Sequence, residues 1–584
     1  MTGPPAAGLS FITAPERPPA LTSLSRRRTE PTTRQPSALA AGTRAADRTE
    51  TTAAPEKTMS IQQIQLTTYD TVVAVTQNSV NEMLATYLNQ LQKNVALYYG
   101  VNSQGQYVPT TEQDAVFTFT GTLDYAVQNG AAVDIVELYV DGQPQAVRYN
   151  ITFSNAEFKS VGTPPFDVKQ AGGDPWIIKF LVNLSLKPVT LSSLPPGVQQ
   201  TVSKYVGNLG PDMFSIQQLY IDLNTAIFDT FQNIENMSSF AASVFTGIMQ
   251  TYMAQQQEQG GVIFGYALQA AQSGRQTPTF MPTALDFCVT PYTDSNGQHS
   301  DPGLDTLNYL VMTGERPLPP DVPSGFGWNW VDDASIQGTM AVRHDLIIDY
   351  LVPQFNSILQ TISPTLSADA KDDKITFGTG SSSNQFTVHD PPQAAGVVGT
   401  YSYGTSAKDD GSSMGVSYTV SSDYSSTCQI AFSGDAITLS GTVTCSASEQ
   451  VSGLGFDSET DMPDTTYSWS ATLQLQMNLA ENGSLDIVVS NSNFDSKPTV
   501  AGHDQSWWEK LIEGFGGGMQ QYVNDFGGIQ GQVQTTLDSV LPAIKSALST
   551  MNDFVFPGAS TFAFKDPQFS GDLDLASNIT YLST

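Results

Sequence analysis

An α+β fold of two tandem domains, each a highly curved antiparallel β-sheet wrapped around long helices, is what this sequence predicts. Three observations predict it. The first is an internal repeat: Thr71-Val-Val-Ala-Val-Thr-Gln-Asn-Ser-Val-Asn-Glu-Met-Leu84 is echoed by Gly338-Thr-Met-Ala-Val-Arg-His-Asp-Leu-Ile-Ile-Asp-Tyr-Leu351. Aligned without a gap, Ala74 meets Ala341, Val75 meets Val342, Asn78 meets Asp345 and Leu84 meets Leu351, a constant step of 267 residues (341 − 74). A step this long points to duplicated domains, since solenoid repeats recur every ~20–50 residues. The second is strict apolar–polar alternation over many segments, the mark of antiparallel strands with one buried face. The third is order: each half reads strand, helix, meander of long strands, helix, strand.

Taken from the N-terminus, residues 1–58 are rich in Pro, Ala, Thr, Ser and Arg and show no apolar periodicity, so disorder is expected. They carry eight basic and five acidic groups, whereas the remainder carries 17 and 51. This leader is read as an untranslated or irrelevant tail before Met59, with a transit peptide as the alternative. It lacks the apolar centre of a secretory signal. The first domain, 59–322, opens with strand Val72–Val75, and Asn78 is read as the cap of a helix running to about Leu97 on the stripe Val80, Leu84, Leu88, Leu91 and Val95. Strands follow around Phe117–Val127, Tyr139–Phe153 and Phe180–Leu186. A second helix fits Met237–Gln257, closed by Gly260-Gly261. Strands resume to Met312, and Arg316-Pro-Leu-Pro-Pro-Asp-Val-Pro323 reads as a linker.

The second domain, 323–584, repeats the plan. Asp345 is read as the cap of its first helix, which Pro353 should kink or end. A long β region spans Ile375 to about Phe494, and a helical stretch covers Ser506–Asp553, broken at Gly514–Gly518 and Gly527-Gly528. A β segment from Phe562 to Tyr581 closes the chain. With two domains, truncation at Leu84 or Leu351 is expected to depress mainly one of two unfolding transitions.

Composition narrows the function. The net charge of −31 repels nucleic acid and anionic headgroups at long range, which argues against nucleic-acid binding. Cys288, Cys428 and Cys445 are too few for a disulfide framework. If Gly434-Asp435 turns a hairpin, Cys428 faces position 441 and Cys445 lies ~13 Å away. Reduced thiols and a cytoplasmic location are therefore expected. No run of apolar residues reaches the length of a transmembrane helix.

Chemistry-bearing patterns are sparse. His299, His344, His389 and His503 show no metal-ligand spacing. Asp294–Asp305 lacks the glycine and glutamate of an EF-hand and reads as a turn. Gly514–Gly518 has no Lys-Ser/Thr of a phosphate loop. No nucleophile elbow, zinc-protease helix or kinase set is present. The chain is expected not to be an enzyme and to need no cofactor and no metal. Asn150, Asn183, Asn236, Asn482 and Asn578 begin Asn-x-Ser/Thr sequons, expected by chance in so Thr/Ser-rich a chain.

Tyr69-Asp-Thr-Val-Val-Ala-Val-Thr-Gln-Asn-Ser-Val-Asn-Glu82, Gly327-Trp-Asn-Trp-Val-Asp-Asp333 and Phe562-Ala-Phe-Lys-Asp-Pro-Gln-Phe-Ser-Gly-Asp-Leu573 resemble the OrfX-type accessory proteins of clostridial neurotoxin clusters, members of the TULIP (tubular lipid-binding) superfamily. The resemblance covers most of 59–584. It implies two TULIP-like domains, sometimes enclosing a tunnel for acyl chains, and brings no catalytic residues. The Thr/Ser/Gly-rich stretch from Ser381 to Ser448 and the basic leader depart from that pattern.

The functional expectation is non-enzymatic binding of an apolar ligand, a fatty acid or phospholipid, between helix and curved sheet. Phe240, Val244, Phe245, Ile248, Met249 and Met253 form one broad helix face for it, and Trp328 and Trp330 are candidates for its mouth. The alternative is a protein-interaction or toxin-accessory scaffold with a protein partner and no lipid tunnel. The blander reading of every one of these residues is core packing.

Overall fold

The computed structural model describes residues 60–582, apart from segments at 89–93, 124–126, 129–130, 207–213, 259, 271–279, 281, 479–483, 495–496, 505, 515–516, 549–553 and 556–560. The leader 1–58, and Leu91 and Tyr125 among the expected core positions, lie outside the described residues.

The fold is α+β and strand-rich. Strand β1 (Thr71–Thr76) leads into helix α1 (Gln77–Leu88), then β2 (Asn94–Val101), β3 (Tyr107–Pro109), β4 (Phe117–Leu123) and the two-residue strands β5 (Val127–Gln128), β6 (Ala131–Ala132) and β7 (Val136–Glu137). Long strands β8 (Ala146–Ser160) and β10 (Trp176–Val189) flank β9 (Phe166–Lys169) in sequence. After α2 (Pro196–Val206) come β11 (Phe214–Gln232), α3 (Ser239–Glu258), β12 (Val262–Ala270), β13 (Ala284–Thr290) and β14 (Thr306–Met312). The second half runs β15 (Gly338–Val342), α4 (His344–Gln354), α5 (Asn356–Ile362), β16 (Thr365–Asp369), β17 (Lys374–Gly378) and β18 (Thr387–Gln393). Four very long strands follow: β19 (Val397–Ser413), β20 (Val416–Ser433), β21 (Ala436–Gly453) and β22 (Phe456–Asn478). The chain closes with β23 (Ser484–Phe494), β24 (Thr499–Val500), α6 (Trp507–Gly514), α7 (Gly517–Leu548), β25 (Phe554–Val555), β26 (Thr561–Phe569) and β27 (Leu575–Leu582).

One sheet has the order β13-β14-β1-β15-β27-β26-β25-β12-β11-β10-β8-β4-β2-β3 and curls into a half-barrel; a second runs β18 to β23 in sequence. Toward the β13 edge of the first, every residue of β1, β14 and β15 is buried. That is why these segments read as continuous apolar runs rather than alternations. Val73, Val75 and Tyr309 face the main core, while Val72, Ala74 and Leu310 face a smaller cluster roofed by Ile61, Ile64 and Trp330. The strands of the second sheet alternate buried and accessible positions along β20 and β21, with Tyr522, Phe526, Val533 and Leu537 of α7 against them in the same core.

Several expectations change. The first helix does not reach Leu97: Val95 and Leu97 belong to β2, where Tyr99 alone is fully buried. Tyr98-Tyr99 and the β-branched Val95 and Val101 prefer a pleated surface to a helix. Neither Asn78 nor Asp345 is a cap. Thr76 Oγ1 accepts the Ser79 N–H of α1 at 3.3 Å, and Asp574 accepts the His344 N–H of α4 at 2.8 Å. Gly527-Gly528 does not break α7. Pro353 does coincide with the α4/α5 break. The stretch 381–448 is integral to the second sheet rather than an appendage, because β18 to β21 are built from it. Cys428 pairs opposite Gly441 and Cys445 opposite Tyr424; all three thiols are free and buried.

Candidate functional site

Helix α3 has few charges and a wide apolar face, so one side of it sinks into the half-barrel and buries Val244, Phe245, Ile248, Met249, Tyr252 and Met253. Phe245 sits among Phe119, Phe158 and Trp176, with ring centroids 5.7, 5.1 and 6.1 Å away. This aromatic plug fills the N-terminal half of the helix–sheet space. The helix ends at Gly260 and Gly261, whose φ angles of 121° and 69° suit glycine, and their N–H groups return to the Gln257 and Gln256 carbonyls.

Beside the C-terminal half of α3 the space is open. A cleft of about 980 Å³ lies there, bounded by α3, the Gly260–Ile263 turn and strands β2, β8, β10 and β11. Its apolar lining includes Leu97, Ile151, Leu223, Tyr252, Met253 and Val262. Its polar lining includes Asn94, Gln218, Gln255 and Lys187, the single charged side chain among the described residues that line it. The Lys187 ammonium stands 4.7 Å from the Tyr220 ring centroid, a cation–π arrangement that orients it. Burial pushes the Tyr252 hydroxyl up to about 12, so it stays a neutral donor and acceptor at physiological pH.

Of the residues singled out from the sequence, Met253 lines this cleft. Val244, Phe245, Ile248 and Met249 are in the packed core, and Phe240 is half-exposed with its ring 6.3 Å from Phe166. Trp328 and Trp330 are not brought to α3. They cluster with Phe326, at 5.0 Å each from it, on the other face of the β14, β1 and β15 strands. Lys187 adjoins the predicted strand Phe180–Leu186 on its wet face, whereas Gln218 belongs to β11, a strand not predicted from the sequence. Leu223, Tyr252 and Val262 carry no signal that separates a cleft wall from core.

A second polar centre lies at the ends of strands β1, β14, β15 and β27. Fully buried Asp70 accepts from Thr313 N and Oγ1 at 2.8 and 2.9 Å and pairs with Arg316 and Arg343 at 2.8 and 3.3 Å. Asp574, equally buried, accepts both the His344 N–H and its Nδ1, the latter at 3.0 Å. His344 Nε2 lies 3.4 Å from Asp390. The Asp574 hydrogen bond, with the nearby carboxylates, raises the His344 pKa. These contacts satisfy buried groups and tie the two halves. Among the described residues no set of three or more His, Cys, Asp or Glu side chains is placed to hold a metal ion.

No family model and no curated protein matches the chain. Solved structures do. The crystal structure of P47 of Clostridium botulinum E1 is similar at 10% identity and a TM-score of 0.40, covering 87% of this chain and 98% of that one. The crystal structure of lipopolysaccharide binding protein is similar at 10% identity and a TM-score of 0.26, covering 89% and 100%. No helix among the described residues is long and apolar enough to cross a membrane.

Proposed function

We propose that this chain is a non-enzymatic binder of an amphiphile, a fatty acid or phospholipid, held in the cleft between α3 and the half-barrel sheet. The observation that carries this reading is the cleft itself: an apolar wall of Tyr252, Met253, Leu223 and Val262 with one cation, Lys187, among its described lining residues. Its volume falls at the top of the roughly 300–1,000 Å³ range of ligand pockets. An acyl chain would replace water against the apolar wall, and a carboxylate or phosphate would meet Lys187 through a charge-assisted hydrogen bond. The strand order mirrored about β1 and β15 supports reading 59–322 and 323–584 as two tandem TULIP-like domains. The three buried free thiols fit a reducing, cytoplasmic setting.

The test is mass spectrometry of organic extracts from natively purified protein, together with displacement of a fluorescent fatty acid. A co-purified lipid, and displacement weakened by Met253→Trp, are expected. Absence of lipid combined with no fluorescent fatty acid binding would overturn the reading.

A further inference from the structure

The second sheet ends in two hairpin turns that have no part in the cleft. Ser413 pairs with Val416, leaving Met414-Gly415 as a two-residue loop; Gly453 pairs with Phe456, leaving Leu454-Gly455 as another. Val416 in turn pairs with Gly453, so the tips stand side by side. A Cβ built on Gly415 would lie 3.6 Å from Leu454 Cδ2, which puts them in contact. Both loops have positive φ at both residues: 53° and 83° at Met414-Gly415, 51° and 82° at Leu454-Gly455. That is the type I′ hairpin turn, whose first position favours Asn or Asp because a bulky side chain is strained there. The sequence places a large apolar residue in that position twice. Met414 is 94% exposed, Leu454 75% and Phe456 51%. Asparagine would serve both the turn and solubility better, so folding does not account for these choices.

We propose that the paired tips are a wedge that seats Met414, Leu454 and Phe456 in the surface of an electroneutral phospholipid bilayer. The tips are two adjacent two-residue turns, and three side chains are far short of the ~800 Å² per partner that a stable protein interface buries. A fluid hydrocarbon surface needs no complementary shape. Charge selects the lipid. The strands behind the tips carry Asp409, Asp410, Glu449, Asp457 and Glu459 against Lys408, which is itself paired with Asp410 at 3.5 Å. This acidic collar is repelled by anionic headgroups and tolerated by zwitterionic ones.

The test is co-flotation of the full chain with phosphatidylcholine vesicles, and with vesicles of phosphatidylcholine and phosphatidylserine in equal parts. The wild type floats with the first and several-fold less with the second. Met414→Asn with Leu454→Asn restores the favoured turn residue, so the melting temperature holds or rises while vesicle partitioning falls about 10-fold or more. An environment-sensitive fluorophore at Met414→Cys, selective because the native thiols are buried, shifts to the blue on vesicle addition. The proposal is overturned if the wild type does not float with phosphatidylcholine, if the double asparagine variant floats equally well, or if the protein floats without a shift at Met414→Cys. Loss of concentration-dependent self-association in the double variant, with no flotation of the wild type, would instead assign the tips to contact between copies.

Discussion

Val73 of β1 and Met340 of β15 stand opposite one another in an antiparallel ladder, and they occupy the same position of the repeated sequence element. A local two-fold axis therefore passes through this pair. The neighbours obey it: β14 flanks β1 as β27 flanks β15, with β13 and β26 beyond them. The helices obey it too. Gln77, which opens α1, donates its N–H to the Asp305 carbonyl at 2.7 Å, and His344, its counterpart, donates to Asp574.

The caps are not equivalent, and a stability series should reveal it. Thr76→Ala removes the side-chain bond to the Ser79 N–H and is expected to cost about 0.5–2 kcal/mol. Asn78→Ala, at an exposed position one residue inside α1, should stay within about 0.5 kcal/mol of wild type. Urea denaturation of both variants decides this, and a larger loss at Asn78 than at Thr76 would reverse the assignment.

His344 makes stability depend on pH. Its folded pKa is raised by the Asp574 hydrogen bond and by the charges of Asp574, Asp390 and Asp345. A raised histidine binds its proton more tightly when folded. Its contribution is then complete below the unfolded value of ~6.5 and is lost as pH rises through the folded value. His344→Asn should therefore cost more stability at about pH 5.5 than at about pH 8.5. Denaturant midpoints at the two pH values test it, and an equal cost at both would refute the linkage.

Lys187 should set headgroup preference in the cleft. Lys187→Gln is expected to weaken binding of a long-chain fatty carboxylate about 10-fold, the worth of a charge-assisted hydrogen bond, and to leave its methyl ester almost unaffected. Fluorescent-ligand titration of both compounds gives the ratio. An equal loss for acid and ester would mean that Lys187 only shapes the wall.

What could be read in the sequence follows from period and punctuation. Helix α3 was placed within two residues at each end, because Gly260-Gly261 marks its close. The Gly434 hairpin was placed in register, so that Cys428 faces Gly441 as expected. The overrun of α1 into β2 arose because Val80, Leu84, Leu88 and Val95 fit one helical stripe, although tertiary pairing with β4 takes Val95 into the sheet. The cleft was not legible. Phe245 and Met253 belong to the same helix face, yet one is locked among aromatic rings and the other borders open space. That difference depends on which strands bend toward which turn of α3, information that no local pattern carries.

The two halves should unfold together. β1 hydrogen-bonds to β14 on one side and to β15 on the other, and β12 pairs with β25. A cut at 322/323 would leave β1, all six residues of which are buried, with a bare apolar edge, the condition for edge-to-edge aggregation. Leu84 and Leu351 are both buried in the one main core. Leu84→Ala and Leu351→Ala should each cost roughly 2–5 kcal/mol. The shared ladder and core predict that both lower the same calorimetric transition. Fragments 59–322 and 323–584 should then be aggregated or unfolded when made alone, whereas separate sheets would let each survive its partner's loss. Two resolved transitions, one moved by Leu84→Ala and the other by Leu351→Ala, would show that the ladder between β1 and β15 does not couple the halves.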